Sequence, residues 1–157
     1  MFLQFYGLNE QPFGVTPDPR FLYMGPAQQE AFSSLVYGIE TGRGFMALIA
    51  SPGLGKTTML HRLMERLQGS ARTAFLFQTF RNPGEFLRGL LIDLEIEPAG
   101  QDLGELQRQL GDALIEEARS GKRIVVAIDE AQNLDDQVLE MVRMISNFET
   151  PGNVARL

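Results

Sequence analysis

Residues 50–58 form a glycine-rich stretch that reads Ala50-Ser51-Pro52-Gly53-Leu54-Gly55-Lys56-Thr57-Thr58. An apolar run at 45–49 precedes it, and apolar residues recur at helical spacing after it, at Met59, Leu60, Leu63, Met64 and Leu67. This order predicts a strand, a loop and a helix. A glycine-rich loop in that position is typical of a phosphate-binding loop.

The residue types of this loop favour binding of a nucleoside triphosphate. Gly53 and Gly55 allow backbone N–H groups to turn toward phosphate oxygens, and the following helix presents its positive dipole end to them. Lys56 would contact the β- and γ-phosphates, and the Thr57 hydroxyl would bind Mg²⁺. Ala50 stands where the pattern usually has glycine. We predict that residues 50–58 bind a nucleoside triphosphate; the alternative is a glycine-rich turn that contains Lys-Thr by chance.

A second motif follows some seventy residues later. Residues 124–128 are apolar at every position, which predicts a strand buried on both faces of a parallel sheet. Asp129 and Glu130 follow at its carboxyl end, where open α/β sheets bind ligands. We predict that Asp129 binds Mg²⁺ with Thr57 and that Glu130 is the catalytic residue, which polarises the attacking water. The alternative is an acidic pair that only opens a loop.

The remaining periodicity predicts an α/β domain. Helices are expected at 28–37, 84–95, 103–119 and 136–148, and a further strand is expected at 74–77. One apolar stripe of the longest helix is expected in the core and comprises Leu103, Leu106, Leu110, Ala113 and Leu114. Strands that alternate with helices favour a parallel sheet with helices on both sides. Residues 1–26 are expected to form an extended lead-in, and residues 27–157 the nucleotide domain.

Composition and charge narrow the function classes. The chain has 157 residues, of which 44% are hydrophobic, enough for one domain with a core. Twenty Asp and Glu outnumber fourteen scattered Lys and Arg, which disfavours strong DNA binding by this segment. Cysteine is absent, and His61, the only histidine, is expected to be a surface or partly buried helix residue instead of a metal ligand. Without a secretory signal or an apolar span in the sequence, we expect a cytoplasmic location.

Short segments along the whole chain point to one family. They are FYGLNEQPF at 5–13, PDPRFLY at 17–23, YGI at 37–39, IDEAQ at 128–132 and RMISNFET at 143–150. Together with the two motifs, they resemble the AAA-type P-loop ATPases of the general secretion pathway component A group, also called ExeA-like ATPases. The resemblance implies a three-layer αβα P-loop NTPase fold of the AAA+ type. It also implies a homo-oligomer that binds and hydrolyses ATP with Mg²⁺.

The resemblance adds expectations at three residues. Pro12 and Phe13 would lie in the pocket of the nucleotide base, unless they only cover the core. AAA-type enzymes usually place an arginine where it reaches the γ-phosphate of a neighbouring subunit, which is one interpretation of Arg143; we expect Arg143 to form a structural salt bridge instead.

The resemblance further implies that this chain is a truncated form of the domain. In that class of protein, a strand from later in the sequence separates the strand before Lys56 from the strand before Asp129. We therefore expect the C-terminal strands, a polar sensor, an arginine and a helical lid to be missing from this chain. Attachment to the periphery of the inner membrane would come from a secretion partner or from a region after residue 157.

Three functions remain open at this point. The first is an ATP-hydrolysing motor domain for secretion or envelope assembly. The second is a helper ATPase of transposition, whose nucleotide state controls binding of DNA or transposase. The third is a nucleotide-gated interaction module without turnover.

Overall fold

Six α-helices and two parallel strands make up the computed structural model, which describes residues 2–11, 14 and 18–148. In chain order they are α1 (Phe2–Phe5), α2 (Pro26–Glu40), α3 (Lys56–Leu67), β1 (Ala71–Leu76), α4 (Pro83–Asp93), α5 (Leu103–Arg119), β2 (Arg123–Ile128) and α6 (Asp136–Ser146). Two 3₁₀ turns span Pro19–Phe21 and Ala131–Asn133. The helix predicted after the glycine-rich loop is confirmed, as are the four helices predicted with bounds, whose ends differ by three residues or fewer.

The two strands pair in parallel, with Ala71 opposite Arg123 and Leu76 opposite Ile128. Parallel neighbours need a crossover connection, and α4 and α5 provide it. The strand expected at 74–77 therefore exists but begins three residues earlier and ends one residue earlier. Phe77 lies beyond the strand and is exposed.

Apolar side chains of the strands contact two separate clusters. Ala74 and Leu76 pack into the larger cluster, whose fully buried members from the helices include Phe86, Leu87, Leu90, Leu91, Leu106 and Val138. Ala71 and Val125 pack against a smaller cluster of Ile39, Leu63 and Leu67 from α2 and α3. Because successive strand residues point to opposite faces, helices cover both faces of the sheet.

One residue of the predicted α5 stripe was assigned wrongly to the core. Leu106, Leu110, Ala113 and Leu114 are buried as expected, but Leu103 is 40% exposed. Leu103 is the first residue of α5, directly after the capping residue Asp102. A side chain at the first turn lies at the end of the helix, where fewer neighbours can cover it.

The strand predicted at 45–49 is not formed. These residues alternate between exposed and half-buried, as strand residues do, but they have no ladder partner in the part of the chain that the structure describes. A cavity of about 970 Å³ separates them from β2, which pairs only with β1. An apolar run becomes a strand only when a neighbouring strand accepts its hydrogen bonds, and the cavity takes that position.

The sequence predicts an extended lead-in at residues 1–26, but the described part of it is not extended throughout. It contains the short helix α1 and the 3₁₀ turn Pro19–Phe21. Arg20 ties it together through ion pairs with Asp18 (2.7 Å) and Glu10 (3.1 Å). The expected base-pocket residues Pro12 and Phe13 lie outside the described residues, so their role stays a prediction.

Candidate functional site

The glycine-rich loop enters α3 through two glycines with left-handed backbone. Gly53 has φ of 80°, and Gly55, the residue that precedes α3, has φ of 78°. Glycine adopts this region without the steric cost that other residues meet. Because Gly55 has no side chain, it cannot cap the first backbone N–H groups of α3, which are left to bind an anion at the positive end of the helix dipole.

Lys56 is the first residue of α3, and its side chain reaches back across the loop. Its Nζ donates hydrogen bonds to the carbonyl oxygens of Ala50, at 2.8 Å, and Ser51, at 3.2 Å. The ammonium group therefore connects the beginning of the loop to its end. The one positive side chain of the loop therefore lies against the backbone of the loop itself.

Thr57 and Asp129 join the two sequence motifs. The Thr57 hydroxyl donates a 2.6 Å hydrogen bond to Oδ2 of Asp129, across 72 positions of sequence. Both residues are half-buried. Asp129 follows β2, and its backbone N–H donates to Leu76 O at 2.8 Å, which continues the ladder by one residue. The sheet thus fixes the carboxylate at the side of the loop.

Glu130 occupies a sharp turn after β2. Its φ of 51° and ψ of 37° are left-handed, a conformation that costs a residue with a side chain about 1–2 kcal/mol. Its backbone N–H donates to Oδ1 of Asp129 at 3.0 Å, and its carboxylate accepts a hydrogen bond from Nε2 of Gln132. The Glu130 side chain is exposed and lines the cavity.

The loop and the turn line one cavity. Seven residues of the loop contribute to its wall: Ala50, Pro52, Gly53, Gly55, Lys56, Thr57 and Thr58. Asp129, Glu130 and Gln132 line it from the side of β2. The cavity of about 970 Å³ continues from the loop and the turn into the space between residues 45–49 and β2, where mostly apolar side chains line it. Ser51 and Leu54 do not line it, and both are exposed.

Comparison with known proteins agrees with this arrangement. The family model described as "AAA domain" matches residues 39–156. The chain belongs to this family. It is also 36% identical over 152 residues to general secretion pathway protein A of Aeromonas hydrophila. That match covers 96% of this chain and 28% of the relative, so the chain spans about a quarter of the relative's length. No solved structure matches this chain.

Most predicted site residues of the AAA domain come together in space. Lys56, Thr57, Asp129 and Glu130 lie at one end of the cavity, although their roles stay predictions. The sequence did not identify Gln132 as a site residue, because its spacing does not show that Glu130 adopts a left-handed backbone. Leu22 of the lead-in packs near the loop without lining the cavity: its Cδ1 would be 3.2 Å from a Cβ at Gly55.

Two other predicted positions of the AAA domain lie in ordinary structural contacts. Arg143 donates to Oε1 and Oε2 of Glu140 at 2.6 and 2.9 Å, which lowers the pKa of Glu140 and raises the pKa of Arg143. The expected salt bridge is thus present. His61 is half-buried and stacks on the Phe75 ring at 4.4 Å between centroids.

At the candidate site, the oxygen ligands that the chain offers a metal are the Thr57 hydroxyl and the Asp129 carboxylate. Among residues 2–11, 14 and 18–148, no three His, Cys, Asp or Glu side chains are grouped closely enough to hold a metal by themselves. A site that uses the Thr57 hydroxyl and the Asp129 carboxylate would therefore need further ligands from the nucleotide. In the same part of the chain, no helix is both long and apolar enough to cross a bilayer.

Proposed function

We propose that this AAA domain binds ATP with Mg²⁺ and hydrolyses it. The observation that carries the proposal is the 2.6 Å contact between Thr57 and Asp129, beside Lys56 and the start of α3. A hydroxyl and a carboxylate are the hard oxygen ligands that Mg²⁺ prefers, and this ion usually takes its remaining ligands from water and phosphate. Two residues that approach each other from separate motifs fit this requirement.

The chain supplies three kinds of group for the triphosphate. The free N–H groups of α3 and of the loop donate to phosphate oxygens, and Lys56 would exchange its carbonyl partners for those oxygens. Thr57 and Asp129 would hold Mg²⁺, which when bound offsets the negative charge of the phosphates.

Glu130 supplies the group for hydrolysis. Its exposed carboxylate lies at the end of β2, in the wall of the same cavity. In the proposed step, the carboxylate accepts a proton from water as the water oxygen bonds to the γ-phosphorus. The bond between that phosphorus and the bridging oxygen breaks, and ADP leaves with the electron pair.

We further propose that ATP turnover serves a secretion-type process on the cytoplasmic side of the inner membrane. The support is the likeness to general secretion pathway protein A along nearly the whole chain. In this proposal, the domain works as a homo-oligomer with membrane-associated partners.

The nucleotide-binding part is tested with the two lysines of the chain, Lys56 and Lys122. We expect Lys56→Ala to weaken ATP affinity by about 10- to 100-fold, because a charge-assisted hydrogen bond contributes about 1.5–3 kcal/mol. Lys122→Ala, on the exposed surface, is the control and should bind like the wild type. Isothermal titration of the purified protein with Mg-ATP measures both. Equal affinity of the two variants would contradict the proposal.

The hydrolytic part is tested with Glu130→Gln, which keeps the shape of the side chain and removes the base. We expect turnover to fall at least 100-fold while ATP affinity stays within a few-fold of wild type. Phosphate release at saturating ATP and titration calorimetry measure the two quantities. Wild-type protein that binds Mg-ATP but releases no phosphate would favour the nucleotide-gated module instead.

A further inference from the structure

The turn after β2 places Gln132 directly against the proposed catalytic base. Nε2 of Gln132 donates a hydrogen bond to Oε2 of Glu130. Because a carboxylate has no proton to donate, the amide must face it with its nitrogen. Gln132 also lines the cavity that holds the loop and Asp129. The pair therefore lies within the candidate site.

Three hydrogen bonds and one buried side chain hold this turn in place. Glu130 N–H donates to Asp129 Oδ1 at 3.0 Å, Asn133 N–H donates to Glu130 O at 2.9 Å, and Leu134 N–H donates to Ala131 O at 3.2 Å. The Leu134 side chain is buried in the larger apolar cluster. The 3₁₀ turn Ala131–Asn133 is thereby anchored to the core, and it fixes the origin of the Gln132 side chain relative to Glu130.

We propose that Gln132 is a positioning residue for Glu130. This inference rests on the proposed function, in which Glu130 activates water. With Oε2 held by the Gln132 amide, Oε1 is left to accept a hydrogen bond from the attacking water. An amide is a suitable partner, because it orients the carboxylate without supplying the positive charge that would reduce its basicity.

The test uses three variants of the purified protein. Gln132→Glu keeps the size of the side chain but replaces the N–H donor with a second carboxylate, and Gln132→Ala removes the contact. The control is Gln137→Ala, which changes an exposed glutamine early in α6. We expect both Gln132 variants to lower kcat by about tenfold or more, with KM and the Kd for Mg-ATP within about twofold of wild type. The control should leave all three unchanged.

A double-mutant cycle separates positioning of the base from a general structural role. In a Glu130→Gln background, Gln132→Ala should cause no further loss of the residual turnover, because its effect acts through the Glu130 carboxylate. A tenfold loss in both backgrounds would overturn the inference. So would an unchanged kcat for Gln132→Ala, or a loss matched by weaker ATP binding.

The outcomes also separate this inference from the function on which it rests. If Glu130→Gln abolishes turnover but Gln132→Ala and Gln132→Glu do not reduce it, only the positioning role fails. If Glu130→Gln hydrolyses ATP as the wild type does, the proposed function of Glu130 fails, and the positioning role fails with it.

Discussion

Gly55 combines a left-handed backbone with a position at the start of the proposed ATP site. Its φ of 78° suits glycine, and a Cβ there would lie 3.2 Å from Leu22 Cδ1. We expect Gly55→Ala to destabilise the fold by about 1–2 kcal/mol, because alanine is strained at positive φ. It should also weaken ATP affinity, since relief of this strain would move the loop that leads into α3. Thermal unfolding and calorimetry measure the two effects.

Gly69 provides the matched control for that substitution. Its φ is 83°, but it follows the other end of α3, and nothing lies within 4 Å of the position of its Cβ. Gly69→Ala should therefore cost a similar amount of stability and leave ATP affinity unchanged. If both variants lost affinity equally, global destabilisation would explain the loss, and the local argument for Gly55 would be wrong.

The single residues of the site differ in how far sequence could identify them. Lys56 and Thr57 belong to a local pattern whose chemistry requires them side by side, and the structure places Thr57 against Asp129. The contact of Gln132 with Glu130 depends on a left-handed glutamate, a conformation that side-chain residues rarely adopt. No residue type in this segment predicts a left-handed turn at Glu130, so the contact between Gln132 and Glu130 could not be predicted.

At the scale of the element, α5 begins with a well-formed cap. Asp102 accepts a hydrogen bond from Glu105 N–H at 2.9 Å, and Glu105 accepts one from Gln101 N–H at 2.8 Å. We expect Asp102→Ala to cost about 1 kcal/mol, which lowers Tm by about 2–4 °C in a chain of this size. Asp112→Ala, on the exposed side of the same helix, removes no cap and should not lower Tm. Circular dichroism during heating compares the variants.

Such local signals explain which elements could be predicted. Asn82, Asp102 and Asp135 each cap the helix that follows, so α4, α5 and α6 could be placed closely from sequence alone. The run at 45–49 has the composition of a strand, but a strand forms only when a second strand, often distant in sequence, pairs with it. A local sequence pattern contains no information about that second strand, so the prediction of a strand at 45–49 was wrong.

For the whole molecule, the cavity beside β2 leaves one side of the sheet without a partner strand in the described residues. Asp129 N–H donates toward β1, so by strand alternation the Ala127 amide also points there, while the Val126 and Ile128 amides point into the cavity. We expect Val126 and Ile128 to exchange amide hydrogens faster than Ala127 and Asp129. Hydrogen exchange followed by NMR measures this, and equal protection of all four would show that the cavity side is covered.

The parallel pairing of β1 and β2 also has a consequence for synthesis on the ribosome. The partners Ala71 and Arg123 are 52 positions apart (123 − 71), so β1 leaves the ribosome well before its neighbour. At about 5–20 residues per second, it waits roughly 3–10 s. During that interval the nascent chain can assemble α4 against α5, whose leucines later cover the sheet. Ribosomes that pause within α5 would prolong the exposure of β1 to chaperones and to other nascent chains.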